Sequence, residues 1–142
     1  MKRHRTTTST EATPYVRSLG DQILSRVAEL RTLLNTAHRD VEESALFGNA
    51  LQAIYLLYRE HDNLVQFMSA YSAAMGERLV EIAADALLAI DHLQVVVPIQ
   101  FTPEQLGRYK VLCEELHEFV TNWRSAVQSQ LILAELVQRE QS

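Results

Sequence analysis

Residues 102–137, TPEQLGRYKVLCEELHEFVTNWRSAVQSQLILAELV, decide the fold, because they combine a helix start with a long apolar repeat. Thr102 suits the N-cap, Pro103 suits the first helical position, and Gln105 stands three residues after the cap, as in a capping box. Apolar residues then recur in steps of three and four, as in a helix with one buried face. This apolar seam runs through Tyr109, Leu112, Leu116, Phe119, Trp123, Ala126, Gln130, Leu133 and Val137. We predict one helix here, longer than a compact bundle requires, whose C-terminal half reaches a partner.

Three segments on the N-terminal side repeat this spacing, and only four glycines and three prolines interrupt the 142 residues. The first helix is predicted to start near Pro14 and to break at residues 38–40. The second continues from there unless a new helix is capped near Asp62. The third must stop before Pro98, and a change of step at Gly76 is a further candidate boundary. The predicted fold is all-α: an antiparallel bundle of four long amphipathic helices, or five if the second breaks near Asp62.

Length and charge fit a single globular domain. The net charge of −5 gives no general attraction for nucleic acid. Residues 1–13 lack apolar periodicity and are expected to form a disordered tail, which leaves residues 14–142 as one helical-bundle domain. No apolar run approaches the roughly 18–20 residues that span a bilayer, and polar sequence follows the charged N-terminus. We therefore expect a cytoplasmic protein without a membrane partner.

Metal sites are weakly indicated. Cys113 is the lone cysteine, which excludes an intramolecular disulfide and a cysteine-based zinc site. Glu114 and His117 resemble the Glu-x-x-His iron ligands of ferritin-like bundles, and His38 and Glu42 resemble one ligand pair of hemerythrin-like bundles. The sequence holds no second Glu-x-x-His and no His-x-x-x-His, which such sites also need. We expect no metal and no cofactor.

Arg31 and His38 form a candidate catalytic pair. Their separation resembles the loose Arg–His spacing of small all-helical ribonucleases of the HEPN type. The resemblance implies that the arginine stabilises phosphate charge and that the histidine acts on the 2′-hydroxyl proton. The pair straddles a predicted helix end, however, and we expect a protein that is not an enzyme, with ribonuclease activity as an alternative.

A basic tail supports a second alternative. Lys2, Arg3 and Arg5 precede the Thr-rich segment, and such charges bind phosphate in a salt-sensitive manner. A nucleic-acid-binding regulator that uses this tail is therefore a further hypothesis, although no predicted helix carries a basic face.

Apolar residues exceed what a bundle core needs in two regions, the connection at residues 95–101 and the C-terminal half of the last helix. An apolar connection either caps one end of the bundle or meets another chain. Gln130 within the seam is a position that can fix oligomeric state. The candidate interaction residues are Val95, Val97, Ile99, Phe101, Trp123, Gln130, Leu133 and Val137.

The favoured function is a non-enzymatic helical protein–protein interaction module, such as a bacterial regulator, adaptor or secretion-type chaperone, that forms a homodimer. His61 is a candidate switch, because it occupies a seam position between Glu60 and Asp62. A histidine in a core row either finds a hydrogen-bond partner or becomes charged on acidification.

Overall fold

The computed structural model describes the backbone of residues 3–36, 41–96 and 101–141, and the side chains of residues 15–35, 47–96 and 101–140. The backbone over these ranges is mostly helical and contains no strand, so the predicted all-α class is confirmed. The helices are α1 (Arg3–Thr36), α2 (Val41–Arg59), α3 (His61–Phe67), α4 (Ala73–Val95) and α5 (Pro103–Gln141).

Helices α1 and α5 pack antiparallel. Arg26 Nε lies 3.1 Å from Glu115 Oε1. Further along α1, Arg108 Nη2 donates to Glu29 Oε1 at 2.7 Å. Residues later in α1 therefore meet residues earlier in α5, which places these two long helices side by side in opposite directions.

Helix α4 closes the bundle between α5 and α2. The Tyr109 hydroxyl of α5 donates to the Leu93 carbonyl of α4 at 2.6 Å, and Gly76 of α4 lies against Leu131 of α5. Near the start of α4, Arg78 Nη2 lies 3.3 Å from Oε2 of Glu60, the residue that follows α2. The result is an antiparallel four-helix bundle whose second position is divided into α2 and α3.

The division between α2 and α3 falls at Glu60, close to the break predicted near Asp62. Glu60 has φ −89° and ψ 3°, a backbone conformation outside the α-helical range. Asn63 Nδ2 donates to Glu60 Oε1 at 2.7 Å, which holds this bend. His61 thereby becomes the first residue of α3.

The next boundary lies earlier than the candidate boundary at Gly76. Helix α4 begins after Ser72, whose Oγ accepts a hydrogen bond from the Met75 backbone N–H at 3.4 Å. Serine is a favoured N-cap because its side chain satisfies a backbone N–H that has no partner in the first turn. Gly76 is a buried residue within α4, where it packs closely against Phe67 and Leu131. The change in apolar spacing at Gly76 therefore does not mark a helix boundary.

The capping box at the start of α5 is confirmed. The Thr102 backbone N–H donates to Gln105 Oε1 at 2.9 Å, and the Gln105 backbone N–H donates to Thr102 Oγ1 at 3.1 Å. Helix α4 ends at Val95, before Pro98 as predicted. The predicted break at residues 38–40 lies outside the described residues.

Helix α1 begins at Arg3, earlier than the start predicted near Pro14. The sequence argument placed Pro14 in the first turn, where a missing N–H costs nothing. In the structure α1 continues through this proline, which forgoes one backbone hydrogen bond. Side chains are described only from residue 15 onward, so the expected disorder of residues 1–13 in solution stays a prediction.

Candidate functional site

The C-terminal end of α5 exposes four large apolar side chains. The last fully buried residue of the helix is Val127. Beyond it the exposed fractions are 61% at Ile132, 57% at Leu133, 49% at Leu136 and 45% at Val137. Residues three and four apart share one helix face. These four residues, named here the C-terminal stripe, therefore form one continuous apolar surface.

The stripe faces away from the bundle. Val127, Leu131 and Ala134 lie on the bundle side, since Val127 is buried and the other two are half-buried. At 3.6 residues per turn, the centre of the stripe is roughly 150° around the helix from these three residues. Leu131 also meets Gly76 near the beginning of α4, so the stripe extends past the start of that helix.

The predicted seam slips by one residue along α5. The sequence placed Phe119, Ala126, Gln130, Leu133 and Val137 in one apolar seam, with the last three as interaction residues. The structure instead buries Val120 and Val127, and it leaves Leu133 and Val137 exposed. A strict repeat of 3.5 residues drifts relative to a straight helix of 3.6 residues per turn. The bundle follows the straight helix, and the seam residues at the C-terminus therefore rotate out to solvent.

Ile132 and Leu136 were missed as interaction residues for the same reason. They belong to the exposed stripe together with Leu133 and Val137, which were predicted. A search at a period of 3.6 residues, continued to the end of the helix, would have separated the stripe from the core.

The other predicted interaction residues are dispersed. Val95 is 81% exposed, whereas Phe101 is half-buried and its ring centroid lies 5.4 Å from that of Tyr109. Phe101 therefore covers the bundle core. This position fits the hypothesis that the apolar connection caps one end of the bundle. Val97 and Ile99 lie outside the described residues. Gln130 is half-buried, at the edge of the stripe.

Trp123 is corrected from an interaction residue to a core residue. It is fully buried, and its indole Nε1–H donates to Nδ1 of His61 at 3.0 Å. The seam placed Trp123 on the bundle side, and its large ring is accommodated there beside an imidazole. It contributes no exposed surface to a partner in this structure.

His61 is the one buried polar or charged residue among those whose side chains are described, with 8% of its surface exposed. Because an indole nitrogen only donates, Nδ1 of His61 must carry a lone pair, and the neutral ring then has its proton on Nε2. Nε2 is buried and has no hydrogen-bond partner. Burial lowers the pKa of His61 below its ordinary value of 6.5, and the nearby Arg17 acts in the same direction.

A polar cavity of about 260 Å³ adjoins His61. Asp21 and Asp62 contribute carboxylates to its lining, and their charges act against burial by favouring the protonated form of His61. This cavity, named here the polar cavity, is lined by Arg17, Asp21, Tyr58, Arg59, His61 and Asp62.

The alternative catalytic and metal residues are not assembled into a site in the described part of the chain. Arg31 lies 5.9 Å from the ring centroid of Tyr55, and its proposed partner His38 is outside the described residues. His117 Nε2 is 3.8 Å from Asp91 Oδ1. Across the described residues, no group of three or more His, Cys, Asp or Glu side chains is arranged to hold a metal ion.

Cys113 is a buried core residue. Burial raises the pKa of its thiol to about 12, and reactivity belongs to the thiolate.

The side chains of the basic tail lie outside the described residues. No helix in the described ranges is long and apolar enough to cross a membrane.

Comparisons with known proteins add no further constraint. No protein-family model, no curated protein and no solved structure matches this chain.

Proposed function

We propose that this protein is a non-enzymatic helical interaction module that pairs with a second copy of itself through the C-terminal stripe of α5. The observation that carries the proposal is the outward orientation of this stripe. Four large aliphatic side chains lie on the helix face opposite the core, at the end of α5 that passes the start of α4. Exposed apolar patches rimmed by polar residues are typical of interaction surfaces.

The spacing of the stripe suits a second copy. Residues 132, 133, 136 and 137 have the same spacing when read in either direction. In an antiparallel pair of α5 helices, a twofold axis would place Leu133 opposite Leu136 and Ile132 opposite Val137. A twofold interface requires this kind of self-complementary surface.

The charges around the stripe are compatible with that pairing. Glu135 and Arg139 already form an ion pair at 3.3 Å along one side. In the antiparallel arrangement the same axis would place Arg139 level with Gln130 of the second copy, and Glu140 level with Ser129. These two charged residues are therefore level with uncharged ones, which matters because opposed like charges disfavour association.

The size of the stripe sets the expected affinity. Four half-exposed side chains offer on the order of a few hundred Å², less than the roughly 800 Å² per partner of a standard stable interface. We therefore expect a weak dimer whose population depends on concentration. A regulator, adaptor or secretion-type chaperone would use such an interface to couple assembly to partner binding.

The experiment is a matched pair of substitutions, Leu133→Glu and Leu88→Glu. The two leucines have nearly equal exposed fractions, 57% and 58%, but Leu88 lies on α4 outside the stripe. Light scattering should show that Leu133→Glu lowers the mass to that of a monomer, whereas Leu88→Glu leaves the wild-type mass unchanged. Equal masses for wild type and Leu133→Glu at every concentration would contradict the proposal.

A further inference from the structure

The hydrogen bond between Trp123 and His61 exists in only one protonation state of the imidazole. Nδ1 accepts the indole proton at a distance of 3.0 Å. An imidazolium ion carries protons on both nitrogens, so a second proton would place two donors face to face. The ring cannot become charged and keep this bond.

The ring also has no partner for its Nε2–H where it stands. Its Nε2 is buried without a partner, and its edge packs against Gly20 of α1 so closely that a Cβ atom at residue 20 would lie 2.5 Å from Nε2. A charged group with unpaired donors in such a site is strongly disfavoured. Protonation of His61 therefore requires the side chain to move.

Carboxylates on one side of His61 would attract the protonated ring. Asp21 on α1 and Asp62 on α3 line the adjoining polar cavity and attract the protonated ring, while Arg17 on α1 opposes protonation. Arg59 on α2 also lines this cavity. On the side of α4, Arg78 is paired with Glu60, the residue before His61. From α5 the contact is Trp123, which does not titrate.

His61 is one of three buried residues that anchor helix α3. This helix is only 7 residues long, follows a bend at Glu60 and has no side-chain N-cap. Its buried residues are His61, Leu64 and Phe67. Of these anchors, His61 alone carries a titratable group, and it contacts both α1 and α5.

We propose that the His61–Trp123 hydrogen bond is an acid-sensitive latch, which fastens α3 to α1 and α5 and opens when the imidazole takes up a second proton. Protonation on acidification then moves the imidazolium toward Asp21 and Asp62 and releases the N-terminal end of α3. The latch is independent of the proposed self-association, because it is built from groups within one chain.

The single tryptophan makes the latch directly observable. The chain contains one Trp, so the intrinsic indole fluorescence reports Trp123 alone. In the full-length protein, titration from pH 7.5 to 4.5 should shift the emission maximum to longer wavelength and reduce the intensity. The variant His61→Gln keeps an acceptor for the indole but cannot titrate, and its emission should stay constant over this range.

His92→Gln is the matched control, since His92 is an exposed histidine on α4. It should show the wild-type transition. A wild-type emission that does not change with pH would overturn the latch, as would the same transition in His61→Gln and wild type.

A second measurement covers the case in which His61→Gln fails to fold. Trp123→Phe removes the indole donor but retains an aromatic ring, so the Nδ1 lone pair of His61 no longer accepts a hydrogen bond from residue 123. NMR titration of the imidazole should then give a higher pKa for His61 in this variant than in wild type. An unchanged or lower pKa would contradict the latch, because the indole would not be holding the neutral form.

Discussion

Gly20 of α1 packs directly against the imidazole ring of His61 on α3. A Cβ atom at residue 20 would lie 2.5 Å from His61 Nε2, and real Cβ atoms do not approach a neighbour this closely. The absence of a side chain at Gly20 therefore allows the histidine to enter the core and reach Trp123. His61 was placed in the apolar seam, but its contact with Gly20 depends on the way that α1 and α3 pack.

Gly20→Ala should destabilise the protein. The new methyl group would displace a buried ring, and overpacking of a core costs typically 1–3 kcal/mol. Alanine also favours the helix by about 1 kcal/mol relative to glycine, so we expect a net loss at the lower end of that range. Urea denaturation followed by circular dichroism measures the free energy of unfolding.

The control for this substitution is Gly48→Ala in α2. A Cβ atom at residue 48 meets nothing within 4 Å, so only the helix propensity changes. We expect a gain of roughly 0.5–1 kcal/mol. If both substitutions stabilised the protein equally, the close contact between Gly20 and His61 would be wrong.

Stability should fall on acidification through His61. Burial lowers the pKa of His61, so below pH 6.5 the unfolded chain binds a proton that the native state resists. The native state then binds fewer protons than the unfolded state, and the free energy of unfolding decreases as pH falls. The contribution is complete above pH 6.5 and is lost as pH falls toward the lowered pKa of the native state.

His61→Gln isolates this contribution. The difference in unfolding free energy between wild type and His61→Gln should be larger at pH 7.5 than at pH 5.5, as measured by urea denaturation. A difference that stays constant or grows on acidification would show that His61 is not held neutral in the native state.

Thr102→Ala should weaken the start of α5. The threonine hydroxyl accepts the Gln105 N–H at 3.1 Å, and loss of an N-cap side chain costs about 1 kcal/mol. Ser125→Ala, exposed in the middle of α5, should change stability by less than about 0.5 kcal/mol. Equal losses of unfolding free energy for Thr102→Ala and Ser125→Ala, measured by urea denaturation, would contradict the role of Thr102 as a cap.

Tyr109→Phe should loosen the C-terminal end of α4. The hydroxyl donates to the Leu93 carbonyl at 2.6 Å, and carbonyls in the last turn of a helix lack partners within that helix. Leaving this buried acceptor unpaired costs about 1–3 kcal/mol. Tyr15→Phe is the control, because Tyr15 is exposed and the loss of its hydroxyl should leave the stability nearly unchanged. Comparable thermal stability for the two variants would count against this hydroxyl as a helix cap.

The sequence predicted the features that local chemistry determines. The capping box at Thr102 and Gln105 spans four residues, and its signal is complete within that stretch. The stop before Pro98 follows from the steric restriction that proline places on its neighbour. His61 was placed at a seam position, and the structure buries it there.

Two features depended on information that the local sequence does not hold. The partner of His61 is Trp123, which is 62 residues away, and only the packing of the whole bundle brings them together. The orientation of Leu133 depended on a small difference between periods of 3.5 and 3.6 residues, which accumulates along a helix of 39 residues. The position of the stripe was therefore predicted only in part.

The central claim, self-association through the C-terminal stripe, is tested most directly by sedimentation equilibrium of the wild-type protein over a wide concentration range. One chain has a mass of 16.2 kDa. The account predicts an average mass that rises with concentration toward that of two chains. An average mass of one chain at every concentration would contradict it.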